Sequence, residues 1–144
     1  HDIHACKLRI IMNEKLIIQS LSINMTPQLL VSYAGATWDF HRYHYDSQFA
    51  KEKLNVNKPI VDGQMFGAII AKHLISELGQ NASIVKMKLR YLSMVMIDET
   101  VKFDFDVINS RLVDNITVLN VLINVKVEKD NRDVLKPVEV EIKL

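Results

Sequence analysis

Asp39 and His44 stand five residues apart in a stretch that also holds Trp38, Phe40, His41, Arg42, Tyr43, Tyr45 and Asp46. In a loop, a carboxylate and an imidazole at this spacing can point at one water from two sides, the carboxylate accepting its proton and the imidazole donating or orienting. That is acid/base equipment, and burial beside Trp38, Phe40 and Tyr43 is expected to raise the aspartate. Downstream, Gly63 precedes a strongly apolar helical pattern. The exposed amide protons of a helix N-terminus stabilise negative charge on a carbonyl oxygen, and a thioester enolate carries such charge.

Simpler roles compete for the same residues. Alone, Asp39 reads as a cap or turn residue and His44 as a satisfied core histidine. Asp39, His41, His44 and Asp46 are also competent metal ligands, but no further Cys/His set completes them, and a site without a metal is expected. Arg42 reads first as a surface or interface ion-pair residue. Tyr33 reads as core packing, Trp38 as a pocket wall, His73 as a helix-surface residue and Arg90 as part of a solvated strand face. Taken together, Asp39, His44, their spacing to Ala50 and the Gly63 element favour catalysis.

The elements that must position these groups follow from periodicity. Residues 8–23 are rich in Ile and Leu around a polar interruption at 12–15, which predicts one or two short strands. Thr26-Pro27 starts a helix with Leu29, Leu30, Tyr33 and Ala34 on its buried side. Residues 35–59 are irregular, apart from a short helix after Asp46 that carries Phe49 and Ala50. A second long helix spans residues 64–78, ended by Gly79 as a left-handed stop. It is apolar except for a strip around Lys72, His73, Ser76 and Glu77, so it must be buried over most of its circumference.

Everything after it alternates with period two. Val85, Met87, Leu89 and Tyr91 form one inward set, Val101, Phe103, Phe105 and Val107 the next, then Val121, Ile123, Val125 and Val127, and last Val138, Val140, Ile142 and Leu144. A nearly all-apolar helix and a one-sided antiparallel sheet hide both surfaces if the sheet curls around the helix. This predicts an α+β fold, a single hot-dog domain over residues 1–144.

Bulk properties narrow the functions. The 18 basic and 17 acidic side chains among 144 residues are mixed along the whole length for a net charge of +1, which argues against a nucleic-acid or other polyanion partner. The lone Cys6 forms no internal disulfide, fits a reducing compartment and reads as a half-buried strand residue. His1 and His4, at a start that is not methionine, carry no functional weight. With no apolar run near the roughly 20 residues of a membrane span and no signal-peptide pattern at the start, a soluble cytoplasmic protein without a membrane partner is expected.

The segment from Tyr33 to Ala50 resembles the signature of MaoC-like (R)-specific enoyl-CoA hydratases: a tyrosine, a small-residue stretch, Gly-Asp-x-Asn-Pro-x-His, then five residues and an alanine. Tyr33, Asp39, His44 and Ala50 match in register. Asp62-Gly63-Gln64-Met65 resembles the His-Gly-Met element that opens the family's central helix, and Arg90-Tyr91-Leu92-Ser93-Met94-Val95 resembles its Arg-Phe-Leu-x-Pro-Val strand. The likeness spans roughly residues 26–107. Trp38 stands where the family has glycine, His41-Arg42 where it has Asn-Pro, and Asp62 where it has histidine; these departures bear on substrate more than fold. The string His41-Arg42-Tyr43-His44-Tyr45-Asp46 is similar to one in mesaconyl-CoA-type hydratases, which act on dicarboxylic enoyl-CoA esters. In such a reading Arg42 would suit a second carboxylate, although that branch lacks the aspartate at the position of Asp39.

The resemblance implies reversible addition of water across the double bond of a trans-2-enoyl thioester. Asp39 and His44 would hold and activate the water, and Gly63 would supply the oxyanion amide. His41, Arg42, Trp38 and Asp62 are expected to contact substrate. The implied partner is an acyl-CoA or acyl-carrier thioester, CoA being part of the substrate with no separate cofactor. A homodimer or higher hot-dog oligomer, with the CoA arm along its interface, is implied as well. Two other functions fit the same fold: an acyl-CoA thioesterase using one carboxylate near the helix N-terminus, or a non-catalytic acyl-thioester-binding subunit of a heteromeric dehydratase.

Overall fold

The computed structural model describes residues 15–144; His1, His4, Cys6 and the first part of the expected strand region, up to residue 14, lie outside it. β1 (Leu21–Asn24) leads into α1 (Pro27–Thr37), where the Thr26 hydroxyl accepts from the Leu29 amide at 3.2 Å and Pro27 occupies the first turn. Leu30 and Ala34 are buried, Leu29 and Tyr33 half-buried. After one 3-10 turn (Arg42–His44), α2 (Ser47–Leu54) is capped by Asp46, whose Oδ1 accepts from the Phe49 amide at 3.0 Å.

α3 (Gly63–Leu78) is the long central helix. It turns Met65, Phe66, Ile70, Leu74 and Leu78 inward, while Gln64, Ala68, Lys72 and Ser76 line up along its exposed side. Its buried side chains share one core with Val101, Phe103, Leu119, Val121, Ile123, Val138, Val140 and Ile142 of the sheet, each large one contributing roughly 1.5–3 kcal/mol by leaving water. Gly79 ends the helix at positive φ (101°) but with extended ψ (162°), so the stop is not the expected left-handed cap; its amide still bonds the Ile75 carbonyl at 2.9 Å.

The sheet is wholly antiparallel in the order β1-β3-β4-β5-β2, with β2 (Ser83–Tyr91), β3 (Thr100–Val113), β4 (Ile116–Val127) and β5 (Asp133–Lys143). β2 does not pair with its sequence neighbour β3; the connection crosses the sheet and sets β2 beside β5 at the far edge. Register shifts at Ile84/Lys86 and Leu89/Tyr91 change which residues face inward. Ile84, Met87 and Leu89 are half-buried, whereas Val85 and Tyr91, expected inside, are about half exposed. The curled sheet around α3 is the hot-dog arrangement expected from the periodicity. No helix of the described residues is long and apolar enough to cross a membrane.

One buried charge ties the β2–β3 connection down. Glu99 is 8% exposed; its Oε2 accepts from the Met96 amide at 2.9 Å and from Arg132, which also donates to the Met94 carbonyl. The loop held this way pairs with the approach to α3, through Val61 N–H to the Val95 carbonyl (2.8 Å) and Ile97 N–H to the Pro59 carbonyl (2.9 Å).

Candidate active site

Three chain segments converge at the N-terminus of α3. The end of α1 supplies Tyr33 and, just beyond its C-cap, Asp39; the 3-10 turn supplies His44; the loop into α3 supplies Asp62. Leu30, Ala34 and Met65 complete a cleft with these four, enclosing about 10 Å³, roughly the room of one water molecule. One donor atom from each of Asp39, His44 and Asp62 lies within 4.8 Å of the others.

Each group is held by a contact with the backbone. The Asp39 Oδ1 accepts from the His41 amide at 3.1 Å, an Asx turn that leaves Oδ2 for the cleft. His44 Nδ1 lies 2.8 Å from the Ile60 carbonyl. A carbonyl can only accept, so Nδ1 carries the hydrogen and Nε2 of the neutral ring is the acceptor. Asp62 is the N-cap of α3, its Oδ1 accepting from the Gln64 amide at 3.0 Å. The Met65 amide bonds the Asp62 carbonyl, and the Gly63 amide, in the first turn, has no acceptor among the described residues. A Cβ on Gly63 would stand 2.8 Å from Cε1 of Tyr91, so glycine lets the Tyr91 ring lie against the start of the helix.

Burial raises the Tyr33 phenol above its ordinary value, and the proximity of Asp62, Tyr91 and Asp39 adds to the rise. Tyr91 is raised in the same way by burial and by Asp62. Both phenols stay protonated at neutral pH and are available as hydrogen-bond donors.

Of the residues expected at the site, Asp39, His44 and Asp62 come together here, with Gly63 directly after Asp62, and the others lie elsewhere. Asp39 is exposed, not buried among Trp38, Phe40 and Tyr43. Trp38 is 82% exposed in the left-handed region (φ 57°) as the C-cap of α1, edge-on to Phe40 at 5.3 Å; it does not line the cleft. His41 caps the 3-10 turn, accepting at Nδ1 from the Tyr43 amide, with its ring against Tyr43. Arg42 donates through Nε (3.0 Å) and Nη2 (2.7 Å) to Asp46 Oδ2 and lies over the Phe49 ring at 4.3 Å. The Phe49 amide first, then Arg42, hold the Asp46 carboxyl below its ordinary value. The fourfold ligand set Asp39, His41, His44, Asp46 is therefore not assembled; a cation would find Asp39, His44 and Asp62 instead. Tyr91 was missed altogether, and Tyr33, set aside as packing, lines the cleft. Its match in register with Asp39 and His44 was the available signal.

A larger concavity of about 570 Å³, lined by Lys58, Asp98, Glu99, Glu128 and Lys129 among others, contains none of these groups.

The sequence profile of the MaoC like domain matches residues 13–129. No curated protein sequence matches the chain significantly. Among solved structures, the chain is similar to a protein of the ChsH1–ChsH2 complex from Mycobacterium tuberculosis (21% identity, TM-score 0.77, 90% of this chain and 96% of that one). It is also similar to the (R)-hydratase from A. caviae involved in PHA biosynthesis (19%, 0.76, 90% and 96%). A third likeness is to the R-hydratase PhaJ1 from Pseudomonas aeruginosa (20%, 0.77, 92% and 86%). At these identities the likeness is one of fold.

Proposed function

The chain belongs to the MaoC-like domain family, and from that premise we propose that it is a hydro-lyase that adds water to, or removes it from, a trans-2-enoyl thioester. The observation that carries the reading is the cleft shared by Asp39, His44 and Asp62, with room for about one water beside the open amide of Gly63.

The roles follow from hydrogen-bonding capacity. With Nδ1–H on the Ile60 carbonyl, His44 in its neutral form accepts at Nε2, so it orients the water by accepting a hydrogen bond from it. Asp39 accepts the water's other hydrogen as a proton. The water oxygen bonds to the β carbon, the π electrons move to the α carbon and thioester carbonyl, and the Gly63 amide at the positive end of α3 stabilises the enolate oxygen. Asp39 then returns the proton to the α carbon, so atoms and charge balance and the reverse path is dehydration. Asp62, one oxygen committed to its cap, bounds the water on the third side.

CoA and acyl-carrier protein are alternative carriers of the same acyl thioester. The ChsH1–ChsH2 neighbour is a complex of two chains, which favours an oligomeric working form, and both Asp39 and His44 reside on this chain. The experiment follows enoyl-thioester ultraviolet absorbance and thiol release in parallel with crotonyl-CoA and saturated acyl-CoA. Loss of absorbance without free thiol is expected; thiol release from a saturated thioester would point to a thioesterase, and activity restored only by a second hot-dog chain would point to a heteromeric dehydratase.

A further inference from the structure

His44 owes its tautomer to a single backbone group. Its Nδ1 lies 2.8 Å from the Ile60 carbonyl, and the Ile60 amide bonds the Tyr43 carbonyl at 2.9 Å. One residue of the approach to α3 thus holds the 3-10 turn through both its backbone polar groups. The other side of the same segment is taken by the β2–β3 connection. Val61 N–H bonds the Val95 carbonyl, Ile97 N–H bonds the Pro59 carbonyl, and Ile60 stands opposite Met96 in an isolated antiparallel bridge. The bonds alternate from one side of residues 59–61 to the other, as in an antiparallel ladder. Asp62 follows directly and caps α3, so this short segment carries both the contact that fixes His44 and the third side chain of the cleft.

Glu99 and Arg132 hold the middle of the β2–β3 connection. Glu99 Oε2 accepts from the Met96 amide at 2.9 Å and from Arg132, whose Nη2 also donates to the Met94 carbonyl at 3.0 Å. Met94 and Met96 flank Val95, whose carbonyl holds Val61. Apart from residues 59–61, the other partners of the connection among the described residues lie at its ends: Leu92 and Ser93 bond the Val134 and Asp133 carbonyls, and the backbone of Asp98 and Glu99 bonds Met25. Burying a carboxylate is costly, and an apolar pair would fill the same space without that cost. Such a pair offers no bond to the Met96 amide or the Met94 carbonyl, and so sets no register for residues 94–97 against 59–61.

Resting on the hydro-lyase reading, we propose that Glu99 and Arg132 are positioning residues for the reaction: by fixing Met94 and Met96 they set the Ile60 carbonyl against His44 and keep the ring in the Nδ1–H tautomer. Neither lines the cleft. Without the pair, residues 59–61 shift against the 3-10 turn and the Ile60 carbonyl no longer selects the tautomer. A ring protonated at Nε2 then presents a hydrogen where the water must donate one.

The test combines crotonyl-CoA hydration with nitrogen-15 NMR of the neutral histidine rings, which separates Nδ1–H from Nε2–H; His44→Gln identifies the His44 signals. The wild type is expected to show His44 as Nδ1–H. In Glu99→Ala the Nε2–H form appears and kcat falls roughly 10- to 100-fold, while KM changes by less than about twofold. Glu99→Gln keeps an acceptor for both donors and recovers most of both readouts. Arg132→Lys keeps the charge but loses the bond to the Met94 carbonyl; it moves both readouts in the same direction as Glu99→Ala and carries the test if that variant does not fold. Ile142→Ala, a buried truncation in β5 opposite Ile84 and Leu119, lowers stability and moves neither. An unchanged His44 signal in the folded variants, a fall in kcat without a change of tautomer, a changed tautomer at wild-type kcat, or the same changes in Ile142→Ala overturns the proposal. The hydro-lyase reading fails separately: if the wild type hydrates no enoyl thioester yet Glu99→Ala shifts the tautomer, the positioning of His44 stands and the reaction does not.

Discussion

Gly63→Ala tests the start of α3 with a contact that the structure fixes. The new methyl carbon would lie 2.8 Å from Cε1, 3.2 Å from Cδ1 and 3.4 Å from Cζ of Tyr91, against roughly 3.5–4.0 Å for comfortable carbon contacts. The ring must retreat by about 0.7 Å or more to regain that spacing. Overpacking of this kind costs about 1–3 kcal/mol, and replacing glycine by alanine in a helix returns up to about 1 kcal/mol. Because Tyr91 is half exposed at the end of an edge strand, it can move, and the net loss should fall near about 1 kcal/mol. Urea denaturation measures it, and adding Tyr91→Ala should recover the part due to overlap. Activity should suffer far more than stability: a methyl beside the Gly63 amide obstructs the oxyanion, and losing one such donor costs about 10²–10³ in kcat. Gly63→Ala hydrating crotonyl-CoA at the wild-type rate would refute the oxyanion role. A double variant no more stable than the sum of its parts would refute the overlap argument.

Arg132→Ala should destabilise the fold by about 3 kcal/mol, since it takes from the buried Glu99 its closest charged partner and leaves only Lys129 at 3.7 Å; urea denaturation reads this. Burial by itself pushes the Glu99 carboxyl up, yet Arg132, the Met96 amide and Lys129 together hold it below its ordinary value. A folded value below the unfolded one gives stabilisation that is complete above roughly pH 4.3 and lost as the pH falls through the folded value; denaturation midpoints followed downward from pH 6 should show this slope flattened in Glu99→Gln. Arg42→Ala should leave hydration of short and dicarboxylic enoyl thioesters unchanged within about twofold and cost under about 1 kcal/mol, because its partner is Asp46 on the surface. A selective loss with the dicarboxylic substrate would restore it as a substrate clamp. Asp62→Asn keeps a competent cap and should preserve stability to about 0.5 kcal/mol, whereas Asp62→Ala should lose about 1 kcal/mol in thermal or urea unfolding.

The fold was legible because its signals are local and periodic: Thr26-Pro27 caps α1, Asp46 caps α2, and the period-two runs place β3, β4 and β5 with the expected faces inward. The place of β2 was not legible, since alternation gives a strand's faces but not its neighbour, and two register shifts moved Val85 and Tyr91 outward. Asp39, His44 and Gly63 stand out in the sequence by residue type and spacing, and Asp62 lies beside Asp39 and His44 because the N-cap position at the start of α3 faces the end of α1. The misplaced residues share a cause. Arg42 and Asp46 are four apart, a spacing that satisfies both charges locally, and His41 is consumed by capping the turn it starts. Trp38 follows a helix in the left-handed region, where its side chain is carried out to solvent. The Tyr91 ring meets Gly63 through a contact 28 residues away in sequence, and no spacing rule reaches that far.

In the proposed reaction Asp39 moves the proton of a water held by His44. The most direct measurement is the rate of crotonyl-CoA hydration by Asp39→Asn, a near-isosteric change at an exposed side chain, with circular dichroism and the urea midpoint confirming an intact fold. A fall in kcat of about 10²–10⁴ is expected, with stability unchanged. Hydration at the wild-type rate by the folded variant would contradict it.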